Sequence, residues 1–278
     1  MHLSDAERQG IGAGTVIRRK ESGRHECVTD EVVIEEPLEI RIGGEAVATT
    51  MRTPGNDEEL AAGFLLSEGI VRTRPDLRTI APCALPASLG NVINIELAPT
   101  VKFAPASAQR FGTISTSCGL CGKTSIESIR QQFPPIDPAI SLQIPEATLL
   151  ELPNHLRSSQ SNFARTGGIH AAGIFDLLGK PLVVREDIGR HNGVDKAIGR
   201  AFLDGLLPLS HHVLVVSGRS SFEIVQKALA AGIPIVAAVS APSSLAVNFA
   251  RECGQTLIGF LRPPTFNVYS HIERVAME

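Results

Sequence analysis

The chain has 278 residues, 43% apolar and 20% charged, with a formal net charge of −3 at neutral pH. That is enough apolar material for one large domain or two unequal ones, and a weakly acidic chain offers no global attraction to phosphate backbones, which argues against a nucleic-acid partner. No apolar run approaches the ~20 residues that span a bilayer, and the N-terminus MHLSDAERQG lacks the features of a signal peptide, so a cytoplasmic protein with no membrane partner is expected.

In that compartment the five cysteines are expected to be reduced. Tryptophan is absent and Tyr269 is the single tyrosine, so the core must rest on Leu, Ile, Val and Ala. Residues 1–30 are polar and are expected to be loosely ordered. From Val32 to Met51 the pattern is that of β-structure: Leu38, Ile40 and Ile42 alternate, Gly43-Gly44 supplies a tight turn, and Ala46 to Thr49 returns. Asn56, with Glu59 three residues on, has the form of a helix-start capping arrangement. Leu60, Ala61, Phe64 and Leu65 then share one helical face, with Gly69 as the stop. A further strand is predicted over Val92 to Leu97.

The stretch GTISTSCGLCG, Gly112 to Gly122, consists mainly of small and polar residues around Cys118 and Cys121. A helix is predicted next, from Thr124 to Gln132. The segment QFPPIDPAISLQIP, with four prolines, reads as a linker and domain boundary. It divides the chain into a smaller N-terminal mixed α+β domain, residues 1–135, carrying the cysteine loop, and an α/β domain, residues 136–278.

The second domain has a regular rhythm. A helix over Ala147 to Ser159 precedes strands at Ile169 to Asp176 and Leu182 to Glu186. Val194, Ala197, Ile198, Ala201 and Phe202 recur at helical spacing. Strands at Val213 to Val216, Ile235 to Val239 and Thr256 to Leu261 alternate with helices over Ser220 to Ala231 and around Ala246 to Cys253. This alternation implies a largely parallel sheet covered on both faces.

Chemistry concentrates at two kinds of place. In Cys118-Gly119-Leu120-Cys121-Gly122 the glycines permit backbone conformations that present sulfur outward, and Lys123 favours the thiolate. Such a thiol can attack a persulfide and hold its outer sulfur, while a second cysteine assists release by forming a disulfide. Three other readings stand beside this one: half of a zinc site completed by His25 and Cys27, a thioredoxin-like redox pair, and a structural loop. Cys253 lies on an apolar helix face and is read as structural; Cys27 and Cys83 have no supporting context.

The other places are strand-to-helix turns. Ser217-Gly218-Arg219-Ser220-Ser221 follows a strand and opens a helix, a setting that suits a phosphate, although serine caps alone would also explain it. Ser240 to Ser244 repeats the arrangement one unit later. Both should lie beyond the carboxyl ends of the strands, where ligands of open α/β sheets gather. Arg165 to His170 and Arg185 to Asn192 add a density of polar groups beyond what capping requires. His191 with Asp195 one turn on is either a general base or a plain helix contact. Phe260-Leu261-Arg262-Pro263-Pro264-Thr265 follows the last strand, and Arg262 with an aromatic there suits a base or phosphate or simply a surface tail.

Six segments together resemble one family: RTPGNDEELAAGFLLSEGI, STSCGLCGK, RTGGIHAAGIF, REDIGRHNGVDKAIG, SGRSSFEIVQKA and SAPSSLAVNFARECGQTLIGF. Falling in order from about residue 30 to 271, they are similar to the FdhD family of formate dehydrogenase accessory sulfurtransferases. The resemblance implies a protein that takes persulfide sulfur from a cysteine desulfurase and passes it to the molybdenum (or tungsten) bis-guanine-dinucleotide cofactor that formate dehydrogenase requires. It implies a persulfide on Cys118 with Cys121 assisting. It implies a guanine-dinucleotide segment at Phe260, Leu261, Arg262, Pro263, Pro264 and Thr265, to which Ser217, Gly218 and Arg219 are added by the anion argument. It implies a cytidine deaminase-like three-layer domain and a homodimer. Zinc hydrolysis is not implied: the helix starts GRHNGVD and SGRSSFE have no cysteine, and no acid follows His191 at the spacing a zinc deaminase needs. The rival class is a non-catalytic chaperone that binds and delivers the cofactor, its cysteines structural or zinc-bound.

Overall fold

A computed structural model describes residues 10–84, 90–103, 133–138 and 141–277. Its centre is a six-stranded sheet in the order β13-β12-β11-β10-β8-β9. These strands are β8 (His170–Asp176), β9 (Pro181–Asp187), β10 (His212–Val216), β11 (Ile235–Ala238), β12 (Thr256–Arg262) and β13 (Thr265–Ser270). Only β10–β11 and β11–β12 pair in parallel; β8–β9, β8–β10 and β12–β13 are antiparallel. The expectation of a largely parallel sheet is thus corrected. The β8–β9 connection has no crossover helix, and a short turn permits only antiparallel pairing. β13 was not foreseen, because the prolines before it read as an extended exit.

Side chains of successive strand residues point to opposite faces, and each face has its own cover. On one side Ala172, Ile174, Leu214, Val216, Val236, Ala238 and Leu257 belong to the larger core. The helices there are α4 (Arg190–Leu203), α5 (Phe222–Ala230) and α6 (Ser244–Glu252). On the other side Ala171, Phe175, Val213, Val215, Ile235, Ala237 and Ile258 meet Leu149, Leu152 and Leu156 of α2 (Glu146–Ser158). A short helix α3 (Ser161–Thr166) follows α2, and a two-residue parallel pair joins β7 (Ile144–Pro145) to β14 (Val275–Ala276).

The N-terminal half contributes a four-stranded sheet in the order β4-β3-β6-β5. It comprises β3 (Glu36–Ile42), β4 (Glu45–Arg52), β5 (Leu77–Pro82) and β6 (Val92–Leu97), with α1 (Asp57–Ser67) between β4 and β5. Leu38, Ile40, Ile93 and Ile95 of this sheet, Leu60 and Leu65 of α1, and Ala197 and Ile198 of α4 lie in one continuous core. Within the proline-rich segment at the expected boundary, residues 133–138 form no helix or strand, yet Phe133 and Ile136 are buried in that same core and the Ile136 N–H donates to the Cys253 carbonyl (2.9 Å).

Two local expectations are corrected. Residues 11–33 are not loosely ordered: they form an antiparallel hairpin, β1 (Ile11–Arg19) with β2 (His25–Val33). A lone two-stranded ribbon is marginal in water. This one is tied down by buried Ile11 and by Arg165 of α3, whose Nε donates to Glu31 (2.9 Å). The capping arrangement at Asn56 does not form: Asn56 is left-handed (φ 58°) with no side-chain cap. Glu59 is drawn instead to Arg185 on β9, whose Nη2 donates to it at 2.8 Å. A charge-assisted long-range pair outweighs a local cap.

Candidate functional site at the carboxyl edge of the sheet

At the carboxyl edge of the sheet the loops after β10 and β11 meet the last residues of β12. After β10, Ser217 is braced to the start of β8: its N–H donates to the Ala171 carbonyl (3.0 Å), and the Ala171 N–H donates to its Oγ (2.9 Å). His170 Nδ1 lies 3.4 Å from the same hydroxyl. The next loop is stitched to this one by a Ser220–Pro242 bridge and by the Ser243 N–H donating to the Ser220 carbonyl (3.0 Å). The end of β12 joins them: the Phe260 N–H donates to the Ser240 carbonyl (3.1 Å) and Arg262 Nε donates to the Val239 carbonyl (2.9 Å). Phe260 is left-handed (φ 52°) and 41% exposed, whereas Leu261 is wholly buried in the core under α2.

Beside these loops lies a cleft of about 620 Å³ between the α2–α3 corner and the sheet edge, with Arg157, Gln160, Phe163, His170, Ser217 and Val239 in its lining. The Arg157 guanidinium lies over the Phe163 ring, 3.7 Å from its centroid. Gln160 is 5% exposed, and its Nε2 has no hydrogen-bond partner. Pro264 and Thr265 line a different hollow, shared with Phe266 and Tyr269 on the outer edge of the sheet.

His170 and Arg190 stand against this edge. A Cβ on Gly218 would lie 3.4 Å from His170 Cε1 and 3.5 Å from Arg190 Cδ, which puts both side chains against the loop that carries Arg219. Burial, and then the charges of Arg190 and Arg219 with Asp187 opposing, push the His170 imidazole below its usual range. Most of the polar density of residues 185–192 is structural. Asp187 is fully buried and accepts from the N–H groups of Thr53 (3.2 Å) and Gly189 (2.8 Å), with Lys196 Nζ at 2.8 Å. Glu186 accepts from the N–H groups of Asn162 and Phe163, 2.9 Å each. His191 and Asp195 do not act as a pair. His191 Nε2 faces Ser221 Oγ (2.9 Å) and Glu223 (3.4 Å), while Asp195 accepts from Lys227 (2.8 Å) and Ser67 (3.0 Å).

The sheet edge therefore brings Ser217, Gly218, Phe260 and Arg262 together and adds Gln160, Phe163 and Arg157, which sequence reasoning missed. Their only local signal is a polar stretch between two helices. Cys118 and Cys121 lie outside the described residues. Cys27 is exposed on β2, Cys83 is half-buried, and Cys253 is buried. Among the described residues no group of three or more His, Cys, Asp or Glu side chains is placed to hold a metal ion, and no helix is long and apolar enough to cross a membrane.

Residues 33–276 match the model of the FdhD/NarQ family. The chain belongs to this family. It is 50% identical over 253 residues to the sulfur carrier protein FdhD of Streptomyces coelicolor, an alignment covering 89% of this chain and 90% of that one. It is 48% identical over 275 residues to the sulfur carrier protein FdhD of Mycobacterium tuberculosis, covering 95% of each chain. The fold is that of a solved putative formate dehydrogenase accessory protein from Desulfotalea psychrophila: TM-score 0.77, 24% identity, covering 96% of this chain and all of that one. Within the FdhD/NarQ match lie both the sheet-edge loops and the cysteine pair.

Proposed function

We propose that this chain is a cytoplasmic, homodimeric sulfur carrier and sulfurtransferase serving formate dehydrogenase. It accepts persulfide sulfur from a cysteine desulfurase on Cys118 and delivers it to the molybdenum (or tungsten) bis-guanine-dinucleotide cofactor, its substrate. The observation that carries the reading is the 50% identity, over 89% of the chain, to a protein named as a sulfur carrier. The glycine-flanked Cys118 and Cys121 supply the chemistry that such a role needs. On this reading the six-stranded domain is a cytidine deaminase-like scaffold without a zinc centre, and its strand edge, with Phe260 to Thr265 and Ser217 to Arg219, receives the guanine dinucleotide.

The sulfur steps balance without an external oxidant. The Cys118 thiolate attacks the outer sulfur of the desulfurase persulfide, the S–S bond there breaks, and the desulfurase thiolate leaves. The Cys121 thiolate then attacks the inner sulfur of the Cys118 persulfide. A Cys118–Cys121 disulfide forms and hydrosulfide departs, so the two electrons that reduce the sulfane sulfur come from the thiol pair. A cellular thiol reductant then reduces that disulfide.

The test is intact-protein mass spectrometry after incubation with a cysteine desulfurase and cysteine, for the wild type, Cys118→Ala and Cys121→Ala. The expected result is a reductant-labile gain of one sulfur atom in the wild type that is lost in Cys118→Ala. No gain in any of the three would leave the non-catalytic delivery chaperone as the better reading.

A further inference from the structure

Arg274 stands at the amino end of β12, the opposite end from Phe260 to Arg262. It closes a 3₁₀ turn (Ile272–Arg274) just before β14 and is 5% exposed. Both of its hydrogen bonds leave from Nη1, to the Gly254 carbonyl (2.8 Å) and the Thr256 hydroxyl (3.2 Å). Its Nε is buried with no partner, and Nη2 donates to no described residue. Nε and Nη2 are the side-on fork of a guanidinium, and in three other arginines a carboxylate fills that fork. Arg52 donates from Nε (3.0 Å) and Nη2 (2.9 Å) to the two oxygens of Asp57, and Arg165 from Nε (2.9 Å) and Nη2 (2.6 Å) to those of Glu31. Arg185 holds Glu59 in the same way. The side chains of Arg165 and Arg185 are 35% and 23% exposed, so water could serve them, yet each has its anion. Arg274 is more deeply buried and has none. The adjacent acid, Glu273, is turned to His271 Nδ1 (3.0 Å). Burial pushes the Arg274 guanidinium below its usual range, with Glu273 opposing. The residue also lines a cavity of about 410 Å³ between the 136–143 segment and the last turn of the chain, whose walls include Ile136, Pro138, Leu142, Gln143 and His271. The polar groups there are already spent: Gln143 Nε2 donates to the Glu273 carbonyl (3.0 Å), and His271 Nε2 faces the Arg251 carbonyl (3.0 Å).

We propose that this cavity binds a small carboxylic acid with a short hydrocarbon chain. The carboxylate pairs with the Nε/Nη2 fork of Arg274, and the chain lies along Ile136, Pro138 and Leu142. A cationic donor buried without an acceptor is costly, and an arriving carboxylate removes that cost. The planar fork matches two carboxylate oxygens at once, as it does in Arg52, Arg165 and Arg185. The volume lies at the small end of the roughly 300–1,000 Å³ of ligand sites, which suits an acid of a few carbons. A bound acid ties the 136–143 segment to the end of the chain and therefore stabilises the fold. The site does not depend on the sulfur-carrier reading.

The experiment follows the thermal midpoint of the full chain in acetate, butyrate, 1-butanol and sodium chloride at matched ionic strength, with affinities taken from the saturation of the shift. Acetate and butyrate are expected to raise the midpoint, and 1-butanol and chloride to leave it unchanged. Butyrate is expected to bind roughly tenfold more tightly than acetate, because two more methylenes leave water. Arg274→Lys keeps a cation but has no planar fork, and is expected to weaken butyrate roughly tenfold or more. That variant also alters the bonds made from Nη1, so a second one spares them. Pro138 is exposed on the cavity wall, and Pro138→Glu sets an acid there that is expected to weaken butyrate severalfold while circular dichroism stays native. The proposal is overturned if neither carboxylate shifts the wild type, or if 1-butanol shifts it as much as butyrate does. It is overturned as well by wild-type butyrate affinity in Arg274→Lys; should Arg274→Lys not fold, wild-type affinity in Pro138→Glu overturns it. Arg274 would then be a structural tie between the end of the chain and β12 alone.

Discussion

Gly199 on α4 and Glu59 on α1 meet backbone to backbone: a Cβ on Gly199 would stand 1.8 Å from the Glu59 carbonyl oxygen. The reciprocal position is as tight, a Cβ on Gly63 falling 1.9 Å from the carbonyl oxygen of Asp195. Two glycines thus let the helices of the two halves approach more closely than any side chain permits, and the core continues across the contact. Gly199→Ala is expected to force the helices apart and destabilise the fold by about 1–3 kcal/mol or more. A shift of the urea midpoint to lower concentration at constant slope is the readout; an unchanged midpoint would contradict the packing described.

Lys227 and Asp195 form a buried ion pair across α5 and α4 (2.8 Å), with Ser67 of α1 as a further donor to the carboxylate. Burial pushes the Asp195 carboxyl up to about 6, against the pull of Lys227. Burial also opposes the charge on Lys227, but Asp195 and Glu223 outweigh it and hold the ammonium charged. Lys227→Met leaves a buried carboxylate uncompensated and is expected to cost about 3–5 kcal/mol at neutral pH. Lys227 holds the Asp195 carboxyl down, so without it the orphaned acid takes up a proton at a higher pH than in the wild type. The loss should be largest at pH 8, shrink toward pH 5, and be largely recovered in Lys227→Met/Asp195→Asn. Equal losses at pH 5 and pH 8 would show that charge is not the cause.

His191 gives the fold a pH dependence of known sign. Burial pushes its imidazole from 6.5 down to about 4, Glu223 opposing. The unfolded chain takes up a proton below 6.5 and the folded chain only near 4, so between these values the unfolded state binds more protons. The contribution of His191 is present above pH 6.5 and is lost as pH falls toward 4, to a total of about 3 kcal/mol. In denaturation curves from pH 7.5 to 4, His191→Gln is expected to flatten this decline. A variant that loses stability in parallel with the wild type would assign the decline to other groups.

Cysteine accessibility bears on any persulfide measurement. Cys27 is exposed on β2, opposite Ile17 in the ribbon, while Cys253 is 2% exposed. Under native conditions iodoacetamide is expected to modify Cys27 rapidly and to leave Cys253 unmodified until the protein unfolds. Peptide mapping reads both rates. Rapid native labelling of Cys253 would mean that α6 does not pack as described. A Cys27→Ser background removes this exposed thiol from the sulfur-loading assay.

The sequence alone determined the elements whose signals are local. The strand at Val92–Leu97 and the helix around Val194 to Phe202 appear where periodicity put them, because burial on one face imposes a short-range repeat on the residues that make it. The family, too, was legible in short ordered motifs, since chemistry and tight turns demand particular residues at adjacent positions. Pairing partners were not. The antiparallel β13, the β1–β2 ribbon and the turning of Glu59 from a cap to Arg185 depend on contacts between residues far apart in the chain. The same holds for the sheet-edge cleft. Gln160 looks unremarkable in sequence and Arg190 is one member of a polar run, and only the folded arrangement shows that one keeps an amide and the other a guanidinium nitrogen without a partner. A residue's type states what it can bond, but whether the bond is already taken within the protein is decided by three-dimensional neighbours, and that is where a ligand finds its place.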